Sequence, residues 1–175
     1  SPNLLETIQT MQQRQLWMRD FLIEKQADRF QHLGKFTKKN TPKEIASDMR
    51  IALQIDGDWA QKASTWQDAL RELRLRIEQL GILIFINGIV ENNTHRKLDP
   101  EEFRGFVLCD EYAPLVFING ADAKSAQMFS IAHELAHIWI GQEGVSNISF
   151  THAPIEKTEI FCNAAAIQLS TGSIF

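Results

Sequence analysis

The chain has 175 residues, 44% of them apolar and 23% charged, with a net charge of −4. That length suits one domain, or one domain with a helical appendage, and needs no disulfide staples to fold. The acidic balance argues against direct nucleic-acid binding, and no apolar run reaches the ~18 residues of a membrane span.

Residues 3–30 lack glycine and proline, and Leu4, Leu5, Ile8, Met11, Trp17, Phe21 and Leu22 recur at roughly helical spacing. A long amphipathic helix is expected there, followed by a polar linker over Gly34–Asn40. Thr41-Pro42-Lys43-Glu44 then announces a second helix, with threonine as cap, proline at the first position and Glu44 closing a capping box. A third should run from Thr65 to Leu80, with Trp66, Ala69, Leu70, Leu73, Ile77 and Leu80 inward and Gly81 as its left-handed stop.

The period then changes. Ile82–Ile86, Phe103–Leu108 and Leu115–Ile118 read as strands, with Asp110–Pro114 as a hairpin connection. A helix is expected from near Asp122 to Ile140, stopped by Gly141, and a last one from Ile155 to Leu169. The layout is α+β: a small, mainly antiparallel sheet packed against two C-terminal helices, with an N-terminal helical appendage. Residues 1–40 form the helix and linker, and 41–175 the main domain.

His133-Glu134-Leu135-Ala136-His137 spells H-E-x-x-H. Residues four apart share a helical face, so both imidazoles can reach one ion while Glu134 holds a water. Zinc accepts two neutral histidines and a carboxylate with a fourth position left for that water, whose proton the glutamate can take. A chain of this composition matches the pattern by chance about once in a hundred. The segment is so apolar that a bare Glu134 within it would be costly to bury, which favours a metal. For the third ligand the candidates are His152, Glu156, Glu159 and Cys162. Glu159 is preferred because Asn163 follows four residues later on the same face. One of the two can ligate while the other accepts a hydrogen bond from the far nitrogen of a ligating histidine. Cys109 and Cys162 otherwise read as reduced thiols.

These stretches resemble the ImmA/IrrE family of bacterial and phage metallopeptidases. The likeness is carried by Phe103-Arg104-Gly105-Phe106, by Pro114 to Asn119, by Met128 to His137 and by Glu159 to Ala166. It implies a zincin-like domain in which Zn²⁺ is held by His133, His137 and Glu159, with Glu134 as general base. It also implies a cytoplasmic enzyme cutting a regulatory protein, a helix-turn-helix repressor or an antitoxin. The alternative is a zinc-site sensor or adaptor, or a regulator fragment, with little proteolysis. Relatives continue past the last helix with a Leu-Leu-Met-Pro-like stretch. Here Leu169-Ser170-Thr171-Gly172 follows, so the domain is expected to be C-terminally incomplete.

Other residues carry plainer expectations. Tyr112 is a loop tyrosine, His32 and His95 are surface residues, and Trp17 and Phe21 either pack or form a partner surface. A peptide substrate is expected along a free strand edge at Leu115–Asn119, the strand nearest the zinc helix in sequence.

Overall fold

Four strands form a central sheet in this computed structural model, which describes residues 1–146 and 157–171. In chain order the elements are α1 (Pro2–Glu24), α2 (Pro42–Leu53), a short α3 (Trp59–Lys62), α4 (Trp66–Leu80), β1 (Leu83–Asn87), β2 (Ile89–Val90), β3 (Asn93–Lys97), β4 (Gly105–Leu108), β5 (Leu115–Asn119), α5 (Lys124–Ile140), β6 (Gly144–Ser146) and α6 (Lys157–Thr171). Helices, then sheet, then helices make an α+β fold, as the sequence pattern implies.

Local chemistry explains most boundaries. Thr41 accepts from the Glu44 amide, and Glu44 accepts from the Thr41 amide at 2.6 Å, so the capping box that opens α2 is complete. Thr65 caps α4, Gly81 ends it at φ 98°, and Glu72 pairs with Arg76 on its outer face at 2.7 Å. Trp66 departs from expectation. It is 58% exposed, because the first turn of α4 overhangs the core that Ala69, Leu70, Leu73 and Ile77 fill. α1 stops at Glu24, short of the predicted Phe30, where Gln26 turns into the left-handed region at φ 56°. A hairpin of β2 and β3 was not expected. Glu91 and Asn92 form its turn, both at positive φ, which suits the twist of a tight hairpin.

The sheet order is β1-β5-β4-β6, parallel between β1 and β5 and antiparallel elsewhere. The expected free edge at Leu115–Asn119 is therefore wrong. β5 pairs with β1 through Leu83↔Leu115 and with β4 through Leu108↔Leu115. Its five residues are all buried, the signature of an interior strand.

Alternation along the strands sorts their side chains onto two faces. Ile84, Val107, Val116 and Ile118 join α2, α4, α5 and α6 in one aliphatic core. Phe106, Leu108, Leu115 and Phe117 face the other way and pack with Met11 of α1 and with Phe103. Gln15 fastens α1 to this second face, its amide donating to the carbonyls of Leu108 at 2.8 Å and Ala113 at 3.0 Å.

The polar linker is a packed strap. The Gly34 amide donates to the Ile138 carbonyl and the Phe36 amide to the Trp139 carbonyl, both at 3.0 Å. The strap thus gives the Trp139 carbonyl, near the end of α5, a partner and adds a second donor to the Ile138 carbonyl, which also accepts from the Gly141 amide. His32 belongs to this strap, not to the open surface as expected. Its ring stacks on Trp139 at 5.0 Å, and Trp139 donates to Asp48 of α2 at 2.8 Å.

Candidate metal centre

Helix α5 runs through the middle of the molecule, with every residue from Ser130 to Ile140 buried. The turn that aims it is pinned by Asn119, whose amide side chain donates to the Phe103 carbonyl and whose oxygen accepts from the Ala121 amide. Gly141 closes the helix at φ 67°. A side chain there would meet the Cα of Gly34 at 3.0 Å, so glycine serves both the left-handed turn and the strap's approach.

On this helix His133 and His137 are 0% and 1% exposed, and their Nε2 atoms face each other at 3.1 Å. Glu159, from α6, completes a triangle. Its carboxylate oxygens lie 3.1 Å from Nε2 of His133 and 3.2 Å from Nε2 of His137. His137 Nδ1 lies 3.1 Å from the Gln142 carbonyl. A carbonyl only accepts, so Nδ1 carries the proton and the Nε2 lone pair turns to the cluster. Two imidazole nitrogens in contact need a proton or a cation between them. Three donors around one tetrahedral zinc, with bonds near 2.0–2.1 Å, would stand about 3.3–3.4 Å apart. The donor set and its spacing thus fit a metal ion with little rearrangement.

Electrostatics carry the same imprint. Burial pushes the His137 pKa down, but hydrogen bonds with Cys162 and Glu159 overcome it and raise the value to about 10. Hydrogen bonds from His133 and then His137 hold Glu159 down to about 2. Without an ion, the positive charge held on His137 stands beside the Glu159 carboxylate where a cation would sit.

The remaining predicted ligands sort as follows. Cys162 reaches the His137 ring but is not in the cluster with the other three. His152 and Glu156 lie outside the described residues. Asn163 makes no hydrogen bond to either histidine of the cluster among the described residues: its Oδ1 and the Nδ1 of His133 are both buried without a partner. Tyr112 lies beneath the Arg29 guanidinium, and His95 is exposed on β3.

The IrrE N-terminal-like domain of peptidase family M78 matches residues 77–174, more than half of the chain. The chain belongs to this family. The match spans β1 to α6 and so includes both helices of the cluster, and it supports a metallopeptidase-type function. No curated protein and no solved structure matches the chain.

Two residues of this family member escaped the sequence reading. Gln142 receives His137 on its carbonyl, while its side chain accepts from Thr158 at 3.1 Å, tying the end of α5 to the start of the described α6. Its place directly after the Gly141 stop was the available signal. Gly105 of β4 is the second. A Cβ at this position would lie 3.1 Å from Glu134 Oε1 and 2.9 Å from the Phe117 carbonyl, so the missing side chain makes room for the glutamate. Cys109 directly follows the same strand. Burial, reinforced by the negative charges of Glu143 and Glu134, pushes its thiol up to about 12, so it stays protonated and is no nucleophile.

Proposed function

We propose that the protein is a zinc-dependent endopeptidase of the cytoplasm that cuts a regulatory protein, a helix-turn-helix repressor or an antitoxin. The observation that supports this most is the His133–His137–Glu159 triangle with Glu134 one residue away on the same buried helix. His133, His137 and Glu159 would hold the ion. Bound there, zinc supplies Lewis-acid chemistry, polarising a carbonyl and lowering the pKa of water. Glu134 is the proton carrier in this reading: its carboxylate takes a proton from the attacking water and returns it to the departing amide nitrogen. Gly105 keeps that carboxylate against β4, and Gln142 fixes the ring of His137. The repressor or antitoxin as substrate rests on the family resemblance.

The test is Glu134→Gln. The amide keeps the shape of the side chain but cannot accept a proton, so zinc content should stay near the parent's while cleavage of candidate regulators falls by about 10²–10⁴-fold. Cleavage at the parental rate would remove Glu134 from the chemistry. Zinc binding with no cleavage of any regulator by the parent itself would favour the sensor or adaptor reading.

A further inference from the structure

The face of the sheet opposite the metal cluster is covered by one helix, and a groove remains beside it. It is about 420 Å³ and is lined by Thr10, Gln13, Arg14, Trp17, Met18, Leu83 and Phe85. A second hollow continues it along β1 past Ile86 and Asn87 towards Glu91. Trp17 and Phe21 stack at 5.7 Å on its rim and are 66% and 41% exposed, a large aromatic surface to leave in water.

Among the described residues, β1 has a strand on one side only. The Leu83 amide donates to Pro114, and the Asn87 carbonyl accepts from Gly120, so residues 83, 85 and 87 bond β5. In a parallel ladder this turns the main-chain groups of Ile84 and Ile86 outward. Ile84 is buried, whereas Ile86 is partly exposed and offers the more open pair.

Charge selects the occupant. Arg14 is exposed, lies over the Phe85 ring at 5.1 Å and takes part in no ion pair among the described residues. Arg74 is engaged by Glu78 at 3.1 Å, and Glu91 accepts from the Thr10 hydroxyl. Glu91 keeps its negative charge but lines only the second hollow; among the described residues, Arg14 is the one charged residue lining the first groove, beside its aromatic surface. A second copy paired antiparallel about Phe85 would set Arg14 against Arg14 and be repelled. We infer that this groove docks an extended segment of a partner protein that carries an apolar side chain and a carboxylate two residues apart, so that both turn to the face of β1 that α1 flanks. Its backbone adds to β1 at Ile86, an apolar residue enters between Trp17 and Phe85, and a carboxylate meets Arg14. This surface is independent of the peptidase reading and is tested by binding alone.

The probe is a short synthetic peptide in which valine and glutamate take turns at every second position with threonine between them, titrated into isotope-labelled protein beside a counterpart with lysine in place of glutamate. The amide signals of Phe85 and Ile86 and the Trp17 indole signal should move with the glutamate peptide and not with the lysine one. Arg14→Glu, an exposed change that spares the fold, should weaken the glutamate peptide several-fold, up to about ten-fold, and favour the lysine one. No movement at these signals, equal response to both peptides, or indifference to Arg14→Glu would overturn the proposal. So would signals of β1 that change with protein concentration alone, which would make the occupant a second copy.

Discussion

Val107, Val116 and Ile118 look out from one face of the sheet into four helices, whereas Phe106, Leu115 and Phe117 on the other face meet essentially one, α1. The first face is aliphatic and closed, and it holds α5 so that two buried histidines meet a half-buried glutamate of α6. The second is aromatic and partly open, and it ends in a groove and a strand edge. Precise placement of the ligands needs rotamers locked by packing on every side, while a docking surface needs apolar area left uncovered. The same four strands serve both demands because alternate side chains belong to different faces.

The sharpest way to separate the faces is to disable the cluster. Glu159→Ala should remove most zinc affinity, by more than about 10²-fold, since one of three protein ligands is lost. Elemental analysis of the purified variant reads this. Undiminished zinc would hand the third position to another group and leave the triangle without metal meaning. Acidity offers a second cut through the same site. In the metal-free protein the raised His137 contributes stability that is whole below the ordinary histidine value near 6.5 and is lost as pH rises through about 10. The lowered Glu159 contributes stability that is whole above about 4.5 and is lost as pH falls through about 2. The metal-free form should therefore be most stable between about pH 4.5 and 6.5 and weaken towards alkaline pH. Zinc should reverse that alkaline decline, because it binds neutral imidazole. Thermal melts with chelator and with zinc test this. Parallel curves for the two forms would count against the cluster as a metal site.

Met11 probes the other face. It is 6% exposed and lies among Phe103, Phe106 and Phe117, so Met11→Ala should cost about 2–4 kcal/mol of stability. Zinc affinity should change little, since the sheet stands between Met11 and the cluster. Denaturation midpoints and zinc titrations on the same sample check the pair of outcomes. A large fall in zinc affinity would show that the two faces are coupled through the strands.

How much of this was legible beforehand follows the range of the forces involved. The capping box at Thr41 and Glu44, the stops at Gly81 and Gly141, and the i,i+4 histidines are local patterns, and each appears where the sequence places it. Glu159 was legible because helical spacing to Asn163 singled it out, although the hydrogen bond imagined for Asn163 is not formed. Pairing between distant strands was not legible. β1 and β5 meet in parallel across the β2–β3 hairpin and β4, and neither strand's composition names its neighbour. The hairpin itself was hidden because Asn93–Lys97 is polar throughout and lacks the alternation that marks a half-buried strand. The strap looked like a linker because its bonds to α5 use backbone groups, which composition does not report.

Gly105 brings the comparison down to a single position. It lies on β4 opposite Ile118 of β5 and Ser146 of β6, on the face turned to α5. Its neighbours along the strand, Phe106 and Val107, serve the aromatic and aliphatic faces in turn. A methyl group in place of its hydrogen would sit 2.9 Å from the Phe117 carbonyl, 3.1 Å from Glu134 Oε1 and 3.1 Å from the Ile118 side chain. The first contact is with backbone and cannot be relieved by a rotamer change, so the strand or the glutamate has to move. A displaced general base loses rate steeply, since a shift of about 1 Å can cost on the order of 10²-fold. Gly105→Ala should therefore lower kcat by about 10–10²-fold while KM changes little, and zinc content should persist because none of the three ligands touches this position. Measuring kcat, KM and bound zinc on one preparation distinguishes this from general unfolding, which would lower all signals together. An unchanged kcat would mean that the glutamate has slack, and that the close approach of β4 is packing alone.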